Sequence, residues 1–116
     1  MRPYVGNKLT IDFTDEARDS WPAVAATTPV ECQALIRRLA ERLADTGSLK
    51  SPEQFRHEGD GVYAIRARCG LRAYGYFDEH RRGHFVIALY RHKKKDKADP
   101  RDLELVKNIR NGKRQP

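Results

Sequence analysis

The chain has 116 residues, with 23 Lys and Arg against 16 Asp and Glu and a formal net charge of +7 at pH 7. That length sets the expectation of one domain spanning residues 1–116 with a single modest core, and the charge favours a polyanionic partner, either nucleic acid or an acidic protein. No apolar run approaches the roughly 18 residues of a membrane span, and the start MRPYVGNKLTIDF lacks an apolar signal-peptide core, so a cytoplasmic protein without membrane contact is expected.

From Lys8 to Phe13 the apolar Leu9, Ile11 and Phe13 alternate with polar residues, the period of a half-buried strand. Thr14 follows as a helix N-cap, with Asp15 and Glu16 in the first turn, where the helix dipole favours negative charge. Ala17, Trp21, Val24 and Ala25 form the apolar stripe, and Pro22 predicts a kink or an early end. Thr28-Pro29-Val30-Glu31 reads as a capping box with proline at the first helical position. Cys32, Leu35, Ile36, Leu39 and Leu43 continue at helical spacing until Gly47. These two helices make a hairpin with one apolar side.

Residues 48–60 read as a polar connection in which Leu49 and Phe55 anchor to the core. From Gly61 the period changes to two. Tyr63, Ile65, Ala67 and Cys69 share one face, and Val62, Ala64, Arg66 and Arg68 the other. In the next strand Arg72, Tyr74 and Tyr76 oppose Leu71, Ala73, Gly75 and Phe77. In the third, Phe85, Ile87 and Leu89 oppose His84, Val86, Ala88, Tyr90 and His92. The short links predict an antiparallel meander. Asp99-Pro100 opens a last helix with the stripe Leu103, Val106 and Ile109; Gly112 ends it, and residues 113–116 fray. The expected class is α+β: a small antiparallel sheet, an N-terminal helical hairpin on one face and a C-terminal helix.

If the helical hairpin covers the face of Tyr63, Ile65, Phe85, Ile87 and Leu89, the other face presents Arg66, Arg68, Arg72, Tyr74, Tyr76, Tyr90 and His92. Cations among aromatic rings suit single-stranded RNA, since arginine neutralises phosphate and rings stack on bases. A solvated sheet face with tyrosines as strand formers is the equal alternative. Arg91-His92-Lys93-Lys94-Lys95 concentrates charge at the strand end. A neutral His92 among lysines is a candidate base for an RNA 2′-hydroxyl, weighed against a plain strand-end histidine. His80 and His84 flank a loop without a third ligand and the acids are scattered, so neither a metal nor a cofactor is expected. Cys32 and Cys69 have no metal spacing and read as reduced thiols.

The order of these motifs resembles the RelE/HigB-like toxins of type II toxin–antitoxin systems, nearest the phage-derived HigB-like branch. The matching residues are Gly61-Val62-Tyr63-Ala64-Ile65-Arg66, then Arg72 with Tyr74 and Phe77, then Phe85-Val86-Ile87-Ala88-Leu89, then Lys94-Lys95 and Pro100. The resemblance implies a microbial RNase-like fold and metal-independent mRNA cleavage on the ribosome, relieved by a cognate antitoxin. It implies Arg66, Arg72, Lys94 and Lys95 as catalytic positions, with His92 standing where the branch has phenylalanine. Arg68, Tyr74, Tyr76, Tyr90, Arg91 and Lys93 then contact RNA. The alternatives are a ParE-like inhibitor of DNA gyrase that cleaves nothing and an inactive RNA-binding module, because one fold hosts several functions.

Overall fold

The computed structural model describes residues 1–93 and 97–112. Its elements in chain order are β1 (Tyr4–Val5), β2 (Thr10–Phe13), α1 (Asp15–Ala26), α2 (Val30–Thr46), β3 (Phe55–Gly59), β4 (Val62–Arg66), β5 (Leu71–Phe77), β6 (His84–His92) and α3 (Pro100–Arg110). The strands form one sheet in the order β1-β2-β6-β5-β4-β3. β2 runs parallel to β6, and the other neighbouring pairs are antiparallel.

The class is α+β, but the sheet is larger than expected, because β1 and β3 join it. A two-residue strand has no readable period. β3, with the sequence FRHEG, carries one large apolar residue and lies at the sheet edge, where charged residues are usual. Its Phe55 still anchors to the core, as does Leu49.

The helix signals have mixed outcomes. Thr14 Oγ1 accepts from the Ala17 N–H at 3.1 Å, so the first cap forms. Pro22 lies inside α1 without ending it. Pro22 and Arg18 are both on the exposed side, so water reaches the Arg18 carbonyl that loses its intrahelical partner. The capping box does not form. Pro29 is the N-cap of α2 and offers no side-chain bond, while the Thr28 hydroxyl donates to the Val24 carbonyl at 2.6 Å. Gln33 instead closes the turn between the helices, its Nε2 donating to the Ala25 and Thr28 carbonyls at 3.1 and 2.9 Å. Gly47 ends α2 with φ 78°, a left-handed conformation that glycine adopts without penalty. Asp99 caps α3 by accepting from Arg101 N, with Pro100 in the first turn.

Two apolar clusters lie on the two faces of the sheet. One unites Ile36, Leu39 and Leu43 of α2 with Ile11, Ile65, Leu71, Phe85 and Ile87. The other unites Val106 and Ile109 of α3 with Val62, Ala64, Tyr74 and Leu89. Which residues join which cluster is decided by a β-bulge. Tyr74 pairs with Leu89 but Gly75 pairs with Ile87, so Ala88 is an extra residue in β6. A bulge re-aims every side chain beyond it. Leu89 therefore packs beneath α3, and Tyr90 turns to the helical-hairpin side, the reverse of the simple alternation. Gly75 permits the approach: a Cβ there would lie 2.1 Å from the Val86 carbonyl oxygen.

Cys32 and Cys69 are joined in a disulfide with Cα atoms 6.1 Å apart. This overturns the expectation of free thiols. The first turn of α2 meets the turn between β4 and β5, a proximity of residues 37 apart in sequence that only the tertiary fold creates.

Candidate nucleic-acid interface

Three arginines stand side by side across three strands. Arg66 of β4 pairs with Arg72 of β5, which pairs with Arg91 of β6. Like charges directly opposite one another destabilise a sheet. Fixed acceptors offset the repulsion. Arg66 Nη1 donates to the Pro52 carbonyl at 2.9 Å. Arg72 Nη1 donates to the carbonyls of Ala67 at 2.7 Å and Leu71 at 3.1 Å. Arg91 Nε reaches Asp102 Oδ1 at 3.2 Å, and Lys93 Nζ reaches Asp102 Oδ2 at 3.1 Å. Asp102, on the first turn of α3, thus holds two cations of the rim at once.

Accessibility divides this row. Arg66 and Arg72 are 8% and 9% exposed. The sequence placed both on an open face as phosphate contacts; in the structure α3 covers that face, and the two guanidinium groups bind the carbonyls of neighbouring turns. Arg91 and Lys93 are half-buried and remain reachable, with side chains 36% and 20% exposed. Arg68 is exposed in the β4–β5 turn.

The expected stacking surface is absent. Tyr74 is buried beneath α3, where desolvation first, then the charges of Glu58 and Asp102, push its hydroxyl up to about 12 against the opposing pull of Arg72 and Arg66. Tyr76 is half-buried against the same cluster. Tyr90 is buried on the opposite face, its ring 4.7 Å from that of Trp21. None of the three offers an open ring beside the arginines.

His92 is exposed at the end of β6. Its Nε2 lies 3.1 Å from the Cys69 carbonyl oxygen. A carbonyl only accepts, so this nitrogen carries the proton and the neutral ring keeps its lone pair on Nδ1. The bulge turns His92 away from the face of Arg91, so the histidine and the arginine row share a rim but not a face. Lys94 and Lys95 lie outside the described residues.

Two charged groupings escaped the sequence reading. Asp102 carried only the signal of an acid in a helix first turn. The other grouping is at the opposite end of β6. His84 Nδ1 lies 2.6 Å from Asp12 Oδ2, and Arg81 Nη2 reaches the same oxygen at 3.2 Å. Arg81 Nε also meets Asp78 Oδ2 at 2.9 Å. Backbone N–H donation by His80, then the Arg81 side chain, hold the Asp78 carboxyl below its usual range. A carboxylate on Nδ1 orients an imidazole and leaves Nε2 for another partner. Asp12 and His84 are 72 residues apart and meet through the parallel pairing of β2 with β6, which no local pattern announces. Among the described residues, no three His, Cys, Asp or Glu side chains gather as metal ligands.

Comparison with family models, curated proteins and solved structures returned no match for this chain.

Proposed function

We propose that this chain is a RelE/HigB-like toxin of a type II toxin–antitoxin system, a metal-independent endoribonuclease acting on mRNA at the ribosome. The observation that carries the reading is the arginine row in register, Arg66–Arg72–Arg91, continued by Lys93. Placing like charges opposite each other costs stability, and a fold retains such a conflict where the charge serves a ligand. The helical hairpin followed by antiparallel strands and a closing helix agrees with the element order of that family and supports the same reading.

In this reading Arg91 and Lys93 take the phosphate, exchanging Asp102 for its oxygens. Arg66 and Arg72 hold the β4–β5 turn and the strand ends in place and add fixed positive potential behind the site. The 2′-oxygen attacks the adjacent phosphorus, its proton passes to a base, and the 5′-oxygen leaves, giving a 2′,3′-cyclic phosphate. His92 Nδ1 is the base at this rim. An acidic antitoxin segment would compete for the same cations.

Translating ribosomes with purified protein should yield new mRNA 5′ ends within codons, and Arg91→Ala with Lys93→Ala should abolish them. Intact mRNA at full ribosome occupancy would sink the nuclease reading, and inhibition of gyrase supercoiling instead would establish the ParE-like alternative. A second reading, RNA binding without cleavage, is favoured by the burial of Arg66 and Arg72 and their engagement with backbone carbonyls. In that case RNA affinity falls steeply with salt while no strand is cut.

A further inference from the structure

A cleft of about 440 Å³ opens on the helical-hairpin side of the sheet, between α2, Trp21 of α1 and the N-terminal strands. This size lies within the range of small-molecule sites. Its apolar lining includes Ile11, Phe13, Ile36 and Ala40, with Trp21 and Tyr90 edge to face as an aromatic wall. None of these residues belongs to the arginine rim.

Two observations point to an occupant. Tyr90 is 5% exposed, yet its hydroxyl has no hydrogen-bond partner among the described residues; the backbone N–H and carbonyl of Tyr90 are engaged, but the phenol is not. Burial of that hydroxyl holds its pKa above the usual tyrosine value, so it is neutral and available as a donor. The hydroxyl is not cut off from solvent, so a ligand acceptor can take the place of water on it. The mouth carries Arg2 and Arg37 against Glu41, and neither arginine makes an ion pair among the described residues. The mouth is therefore net positive, while the interior is apolar with one donor.

We infer that this cleft is a binding site for a small aromatic anion, whose ring lies against Trp21 and Tyr90, whose acceptor atom takes the Tyr90 hydroxyl, and whose carboxylate or sulfonate meets Arg37 and Arg2. Edge-to-face and offset packing on two aromatic residues selects a flat ring over an alkyl chain. The guanidinium groups select an anion over its neutral analogue.

Trp21 is the only tryptophan in the chain, so occupancy can be read from it directly. The probe is 1-anilinonaphthalene-8-sulfonate, excited by energy transfer from Trp21. Saturable binding at one site per chain is expected, with displacement by 2-naphthoate at lower concentration than by the uncharged 2-naphthalenemethanol. Arg37→Ala should weaken the probe by about fivefold, and Tyr90→Phe by about threefold to tenfold. Ala34→Trp, which fills the cleft, should abolish the signal in a protein whose circular dichroism is unchanged; if that variant misfolds, Arg37→Ala and Tyr90→Phe decide. Binding that ignores these substitutions, equal displacement by the two naphthalenes, or displacement only by an acidic amphipathic peptide would overturn the assignment. RNA cleavage plays no part in these readouts, so they stand apart from the nuclease reading.

Discussion

The two faces of the sheet are built to different rules. On the helical-hairpin face, α1 and α2 bury a continuous apolar surface running from Ile11 to Phe85, extended at its outer end by the rings of Phe55, Tyr63 and Phe77. On the α3 face, a shorter helix covers a smaller apolar patch, and the strand ends beyond it carry charge: Arg66, Arg72, Arg91, Lys93 and Asp102 at one end, Asp12, His84 and Arg81 at the other. One face supplies stability through apolar area. The other gives up apolar area to hold charges close together. Charge that is costly to the fold is the better guide to function.

The sharpest way to break this comparison is to remove mass from each face in turn. Phe85→Ala should cost about 3 to 5 kcal/mol, because a fully buried ring leaves a cavity, whereas Val106→Ala on the inner side of α3 should cost less; urea denaturation measures both. Equal losses would mean that α3 carries as much of the fold as the helical hairpin does. Next in size is the disulfide. Replacing Cys32 and Cys69 by serine should cost about 3 to 4 kcal/mol, from the loop-closure entropy of a separation of 37 residues. The same denaturation series with and without reductant checks it.

Within the charged face, Arg72→Ala should cost about 1 to 3 kcal/mol by removing buried charge-assisted bonds to the Ala67 and Leu71 carbonyls, which keep only their backbone donors. Arg91→Ala should cost about 1 kcal/mol or less, since its ion pair is partly solvated, and yet it should weaken RNA binding more than Arg72→Ala does. A filter-binding titration beside a thermal melt separates the two roles, and the reverse ranking would return Arg72 to the site itself.

The smallest expected effect concerns pH. Burial pushes the Tyr74 hydroxyl up to about 12 in the fold, above the usual tyrosine value of about 10. Its folded pKa is raised, so the stability it contributes is whole below about pH 10 and is lost as pH climbs toward 12. Tyr74→Phe should flatten alkaline unfolding in that window, as followed by far-ultraviolet circular dichroism.

Much of this molecule was legible locally. Thr14, Gly47 and Asp99-Pro100 mark helix ends where the backbone has orphan groups to satisfy, and a cap acts within a turn of the chain. Alternation also placed Val62, Ala64 and Arg66 together, and Arg72 with Tyr74. The same alternation failed beyond Ala88, because an extra residue in one strand is defined only by its partner, and so Tyr90 and His92 were set on the wrong face. Pro29 misled as well: a capping-box pattern gave way to Gln33, which reaches across the helical hairpin.

Charge, strand period and helix stops depend on residues near one another in the chain, and the sequence by itself determined them: an α+β chain with a net positive surface and cations ending its strands. What surrounds those cations depends on residues tens of positions apart. The burial of Arg66 and Arg72 against the carbonyls of Pro52, Ala67 and Leu71, the ion pairs of Asp102, the contact of Asp12 with His84, the disulfide and the cleft beside Tyr90 were decided only by the tertiary structure. The physical reason is that solvation and partnership belong to the space around a side chain, and folding creates that space.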